Sequence, residues 1–127
     1  MKLLGIDYGT KRVGIASTDE SGEYALPRTV VPNTPELAER VLAIAREYQA
    51  ERVVIGESKN FKGEDNPVMA QVRAFAQMLR EGGVDVVLHP ELMTSVEAER
   101  LQGSNNMNDA SAAALILKSY IDTHDHH

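Results

Sequence analysis

The sequence contains no cysteine and no tryptophan. The lack of cysteine excludes disulfide bonds and thiolate metal sites, so a hydrophobic core alone must stabilise the fold. No apolar run approaches the roughly 20 residues that a membrane-spanning helix needs. An acid, Asp7, follows the first apolar residues too early for a secretion signal. These absences lead us to expect a cytoplasmic protein.

Positive charge is also scarce, because 13 basic residues are outnumbered by 19 acidic ones, which gives a net charge of −6. Proteins that bind nucleic acid without specificity usually rely on an excess of lysine and arginine. An acidic chain can still act on nucleic acid if some of its acids hold divalent cations, which reverse the local field. The net charge alone therefore does not decide between these classes.

Length and apolar content indicate one globular domain. The chain has 127 residues, of which 43% are hydrophobic, and this suffices for one core but not for two domains. We expect the domain to span residues 1–123. Residues 124–127, which include three histidines, are expected to be a disordered tail or residues added by cloning.

Five short apolar segments have the composition of buried strands, and four segments with a helical period follow the third of them. Thr34 and Pro35 are typical of a helix start, and a capping box begins at Thr94. The strands are predicted at residues 2–7, 13–18, 24–31, 52–56 and 84–88, and the helices at 34–48, 66–81, from 94 and from 108.

The connections between these segments predict the topology. Short links between the first three strands favour antiparallel pairing. Crossover helices before the fourth and fifth strands favour a parallel arrangement with the first strand. We therefore expect an α/β fold with a five-stranded mixed sheet in the order 3-2-1-4-5, in which strand 2 is antiparallel and helices flank the sheet.

Four acids fall at or near one edge of this predicted sheet. Asp7 ends the first strand, Glu57 follows the fourth and Glu91 follows the fifth, while Asp109 joins them if the last helix begins over the same edge. Crowded carboxylates repel each other and persist mainly when protons or cations compensate them. Oxygen ligands without His or Cys suit Mg²⁺ or Mn²⁺. Two such ions, about 4 Å apart, can drive phosphodiester cleavage.

Each acid also has a purely structural explanation. Asp7 could cap the turn that follows it, and Glu91 could be a solvated loop residue. Asp109 would be favourable in the first turn of any helix because of the helix dipole, and Glu57 could pair with a nearby lysine at the surface. The metal-site hypothesis therefore depends on the convergence of the four acids and not on any one of them.

Four motifs carry a resemblance to a known family. They are GIDYGTKRVGIA at 5–16, VVIG at 53–56, PELMTSVEAE at 90–99 and NDASAAALIL at 108–117. In this order and spacing the chain resembles the YqgF (RuvX) family of Holliday-junction-resolvase-like nucleases. The resemblance implies an RNase H-like fold, metal-dependent nuclease activity and a role in maturing the 5′ end of the pre-16S rRNA.

The resemblance also implies site residues. The family's acidic triad maps onto Asp7, Glu91 and Asp109, and Glu57 is a candidate fourth metal ligand. The family usually has a longer, basic loop before its last helix, whereas residues 102–108 carry no positive charge here, so fewer phosphate contacts are expected. The basic residues that could instead contact a nucleic-acid backbone, or simply be solvated, are Lys11, Arg12, Lys59, Lys62 and Arg73.

Several readings remain open at this point. The substrate could be pre-rRNA or branched DNA, and the protein a monomer or a weak homodimer, since junction resolution needs two active sites. A second class is a binding or assembly module that kept the fold without turnover. A distant alternative is a fragment of an actin-like ATPase or sugar kinase, with DYGT at 7–10 as its phosphate loop. No membrane partner is expected.

Overall fold

The computed structural model describes residues 1–58, 67–91 and 108–124. The helix predicted from Thr94 lies outside these ranges. In chain order the described elements are β1 (Leu3–Tyr8), β2 (Arg12–Thr18), β3 (Ala25–Pro32), α1 (Leu37–Glu47), β4 (Arg52–Ser58), α2 (Met69–Glu81), β5 (Asp85–Glu91) and α3 (Asn108–His124). None of the described helices is long and apolar enough to cross a membrane.

The five strands form one sheet in the order β3-β2-β1-β4-β5. β2 pairs antiparallel with both β1 and β3, while β4 runs parallel to both β1 and β5. This confirms the predicted strand order and the predicted direction of every strand. The short links form antiparallel hairpins and the long helical connections join parallel strands, as the lengths of such connections favour.

Several element boundaries differ from the predicted ones. β4 and β5 extend to Ser58 and Glu91 because their parallel ladder continues through the pair Ser58–Glu91, and backbone pairing does not depend on apolar side chains. α1 begins at Leu37 and not at Pro35, since the Leu37 N–H donates to the Thr34 carbonyl in a preceding turn. α3 continues to His124, one residue past the predicted end of the domain.

The sheet separates two apolar layers. On one face, Leu4, Ile6 and Ile55 pack against α1 and α2, and on the other, Leu3 and Val54 pack against α3. Leu4, Ile6 and Ile55 are fully buried, and burial of a side chain of this size stabilises a fold by roughly 1.5–3 kcal/mol. The alternation of layers along β1 and β4 follows the two-residue period of a strand.

Glycines let α3 lie unusually close to the sheet. A Cβ at Gly5 would lie 2.8 Å from the Ala113 carbonyl oxygen, and a Cβ at Gly14 would overlap the backbone of Asp109. Gly14 is the cross-strand partner of Asp7 in the β1–β2 ladder. The first turn of α3 therefore lies directly over the strand pair that carries Asp7.

Candidate active site

Two acids that are distant in sequence meet where α3 crosses the sheet. Asp7 lies near the carboxyl end of β1, on the face that α3 covers, and Asp109 lies in the first turn of α3. Burial, and after it the negative charge of Asp109, raises the pKa of Asp7 from 3.8 to about 6. The metal-site hypothesis required the last helix to begin over the sheet edge that carries Asp7. The structure meets this requirement, because the first turn of α3 packs beside Asp7.

An arginine partly compensates this pair. The Arg12 Nε lies 3.2 Å from the Asp109 Oδ2, and 69% of the Arg12 side chain is exposed, against 32% for Asp109. Arg12 was predicted to contact a nucleic-acid backbone, but here its guanidinium contacts an acid of the candidate site. Two carboxylates and one guanidinium leave a net negative charge at this point of the structure.

Glu91 reaches the same edge of the sheet through its strand. It is the last residue of β5, and its backbone pairs with Ser58 at the end of β4. One strand, β4, separates β5 from β1, so the two strand axes lie about 10 Å apart. Among the side chains that the structure describes, which do not include Glu91, no three acids or histidines form a group that could hold a metal ion.

Glu57 is placed differently from Asp7. In β4, Val54 belongs to the α3 layer, and Val53 and Ile55 belong to the layer of α1 and α2. Because side chains alternate along a strand, Glu57 is on the side of Val53 and Ile55. The structure thus brings Glu57 to the predicted edge but onto the sheet face opposite to Asp7.

The predicted basic residues are divided between different places. Lys11 is exposed in the turn between β1 and β2, next to Arg12. Arg73 is exposed on α2, which packs on the sheet face opposite to α3. Lys59 and Lys62 lie outside the described residues. Among the described basic candidates, Lys11 and Arg12 therefore lie nearest to Asp7, in the turn after β1 and at the start of β2.

Asn33 braces this turn, a role that the sequence analysis missed. Its side-chain amide donates to the Gly9 carbonyl at 2.8 Å, and its backbone N–H donates to the Lys11 carbonyl at 2.9 Å. Both bonds join the end of β3 to the β1–β2 turn, so the backbone that carries Lys11 and Arg12 is held in place. No local signal could reveal this, because Asn33 immediately precedes the Thr-Pro that predicted a helix start.

His89 links β5 to α3 close to Glu91. The His89 Nε2 lies 2.9 Å from the Ser119 hydroxyl, and the imidazole packs edge-on against the Tyr120 ring at 5.8 Å between centroids. His89 is 8% exposed. A buried polar contact of this kind fixes the position of the strand end relative to the helix that carries Asp109.

The donor set suits a hard divalent cation. Asp7 and Asp109 offer only carboxylate oxygens, and their mutual repulsion is the kind that a bound cation relieves. Oxygen ligands of this type favour Mg²⁺ or Mn²⁺ over zinc. The residues present therefore fit a divalent metal at the junction of β1 and α3.

A family model and individual relatives of this chain point to the same protein family. A model described as "RuvX: Holliday junction resolvase" matches residues 1–123. A protein of Nitratidesulfovibrio vulgaris is 38% identical over 125 residues, which cover 96% of this chain and 84% of that protein. One of Desulforudis audaxviator is 37% identical, with 97% and 95% covered. Both relatives are named "Putative pre-16S rRNA nuclease".

Solved structures share the fold. RuvC of Thermus thermophilus superposes with a TM-score of 0.65 at 19% identity, covering 98% of this chain and 97% of RuvC. The fowlpox virus resolvase, solved in complex with Holliday junction DNA, superposes with a TM-score of 0.59 at 12% identity, covering 97% and 98%. At these identities the likeness concerns the fold, and it confirms the predicted RNase H-like architecture.

Proposed function

Because the chain belongs to the RuvX family of Holliday junction resolvases, we propose that it is a nuclease that hydrolyses phosphodiester bonds of structured nucleic acid with divalent metal held by Asp7, Glu91 and Asp109. The observation that carries this proposal is the meeting of Asp7 and Asp109 where α3 crosses β1 and β2. Ordinary folding stability does not favour such a pair, since burial and the charge of Asp109 both raise the cost of ionising Asp7.

The protein's own groups have distinct roles in this proposal. Asp7, with a pKa of about 6, is mostly ionised at neutral pH and provides a partly buried carboxylate. Asp109 belongs to the first turn of α3, and Glu91 is the last residue of β5. These acids would hold Mg²⁺ or Mn²⁺, two ions in the full arrangement, and the bound metal would supply activation of water and stabilisation of the leaving oxygen. Glu57, on the opposite sheet face, is left out of this ligand set.

Substrate binding is assigned to the turn between β1 and β2. Lys11 and Arg12 project from a backbone that Asn33 braces, beside the proposed metal ligands, and could hold a phosphate backbone in register with the metal. Lys59, Lys62 and Arg73 stay as candidate contacts with the nucleic-acid backbone, although Arg73 lies on α2, on the sheet face opposite to α3. With few basic residues in all, affinity depends on bound cations as much as on the protein's own charges.

The substrate that the relatives' names support is pre-16S rRNA, and the family resemblance implies its 5′ end. Acting on this precursor places the protein in the cytoplasm and requires no second subunit. The description of the family model supports a second candidate, resolution of Holliday junctions. That reaction cuts two strands and would require a homodimer, whereas rRNA processing is compatible with a monomer.

Metal binding is tested by calorimetric titration with Mn²⁺. We expect the wild-type protein to bind and Asp109→Asn to lose most of the affinity. Asp122→Asn is the matched control, because Asp122 is an exposed aspartate of the same helix. Equal affinity in all three proteins would refute the proposed ligands.

Turnover is tested on both substrate classes. Pre-16S rRNA and a four-way DNA junction are incubated with the protein and Mg²⁺ or Mn²⁺, with EDTA as the metal-free control. Cleavage of the RNA by a monomer supports rRNA processing, and paired nicks in the junction by a dimer support resolution. If metal binds but neither substrate is cut, the proposed activity is wrong.

A further inference from the structure

The ion pair between Arg12 and Asp109 suggests how the site binds metal and substrate in turn. We propose that Arg12 exchanges partners: it serves as the counter-ion of Asp109 while no metal is bound, and it is released to a substrate phosphate when a divalent cation takes its place. This inference rests on the metal-dependent nuclease function proposed above and concerns how that site loads.

The geometry permits such an exchange. Arg12 begins β2, where its backbone pairs with Pro32, and the neighbouring Lys11 carbonyl is held by Asn33. The side chain, in contrast, is 69% exposed and ends 3.2 Å from Asp109. A fixed backbone with a long exposed side chain lets the guanidinium turn from Asp109 to a ligand outside without any movement of the strand.

The weakness of the Arg12–Asp109 ion pair also permits the exchange. An exposed ion pair contributes little free energy because water screens it and both side chains lose freedom. A divalent cation carries twice the charge of Arg12 and, in the site proposed above, is held by Asp7 as well as by Asp109, so it displaces the guanidinium from Asp109. Once the cation is bound, Arg12 faces like charge, and the phosphate of a substrate becomes its better partner.

The proposal makes opposite predictions for metal and for substrate. If Arg12 competes with the cation, Arg12→Gln should bind Mn²⁺ about two- to fivefold more tightly, the range expected for removing an exposed ion pair. The same variant should show a higher KM for nucleic acid and a salt dependence reduced by about one phosphate contact. A merely structural role would weaken metal binding and substrate binding together.

The test measures Mn²⁺ affinity by calorimetry and KM by a cleavage assay for wild type, Arg12→Gln and Arg46→Gln. Arg46 is an exposed arginine in the last turn of α1, so this control removes the same charge far from the site and should leave both values unchanged. Tighter Mn²⁺ binding with a higher KM, in Arg12→Gln alone, supports the exchange.

Other outcomes overturn it. Unchanged or weaker Mn²⁺ binding in Arg12→Gln refutes the exchange while leaving the proposed nuclease intact. Equal tightening in Arg46→Gln means that only net charge matters, which also refutes it. If wild type itself binds no Mn²⁺, the proposed metal site and the exchange both fail, and this result is distinct from the first two.

Discussion

Replacing Asp7 by asparagine should stabilise the metal-free protein while abolishing its activity. The wild-type carboxylate must be ionised above its pKa of about 6, in a position where burial and the charge of Asp109 oppose ionisation. Asparagine has nearly the same shape but carries no charge, so it removes both unfavourable effects. It also removes a proposed metal ligand, so cleavage should be lost.

The size and sign of the effect follow from linkage. The folded state holds a proton on Asp7 up to a pH of about 6, whereas the unfolded chain loses it near the ordinary value of 3.8. The folded state thus binds more protons in this window, and wild-type stability falls as pH rises through it. At about 1.4 kcal/mol per pKa unit, the full cost at neutral pH is roughly 3 kcal/mol.

Part of this cost remains in the variant, because the asparagine amide must still be buried. We therefore expect Asp7→Asn to be more stable by about 1–2 kcal/mol at pH 7.5, which raises Tm by roughly 3–8 °C in a domain of this size. Well below pH 3.8, where Asp7 is protonated in both the folded and the unfolded state, the stability advantage of the variant should be lost.

The assay is thermal unfolding in EDTA across this pH range, with Asp122→Asn as the control that removes an exposed charge of α3. Adding Mn²⁺ should raise the Tm of wild type and leave that of Asp7→Asn unchanged, because a ligand stabilises only the protein that binds it. The reasoning is refuted if Asp7→Asn is no more stable than wild type at pH 7.5, or if its advantage does not depend on pH.

Four further substitutions test the fold that carries the site. Gly14→Ala should lower the free energy of unfolding in urea by about 2–4 kcal/mol, because its Cβ would overlap the Asp109 backbone. Gly56→Ala should lower it less, because the nearest neighbour of its Cβ is the flexible end of a side chain. Equal losses would contradict this. Asn33→Ala should lose about 1–2 kcal/mol and raise KM more than it lowers kcat, and a pure kcat effect would argue against a positioning role. Gln49→Gly should raise the free energy of unfolding by about 0.5–1 kcal/mol without affecting cleavage, because Gln49 has a φ of 57°, in the left-handed region that favours glycine. A loss of stability in urea unfolding would show that this backbone is unstrained.

Much of the fold was predictable because its causes are local. Strand periods, helix periods and the short hairpin connections depend on residues close in sequence, and they predicted the strand order that the structure confirms. Strand ends were the exception. β5 continues to Glu91 through pairing with β4, and no residue near position 91 signals that partner.

The candidate site divides in the same way. The motifs around Asp7 and Asp109 could be read from the sequence, since Asp7 lies near the end of a strand and Asp109 near the start of a helix, and local patterns define both. The contact of Arg12 with Asp109, the brace from Asn33 and the placement of Glu57 on the opposite face were decided by tertiary structure. The physical reason is that these relations join elements that are far apart in sequence. The contact of Arg12 with Asp109, in particular, depends on how closely α3 docks on β1 and β2, and the missing side chains of Gly5 and Gly14 permit that close approach.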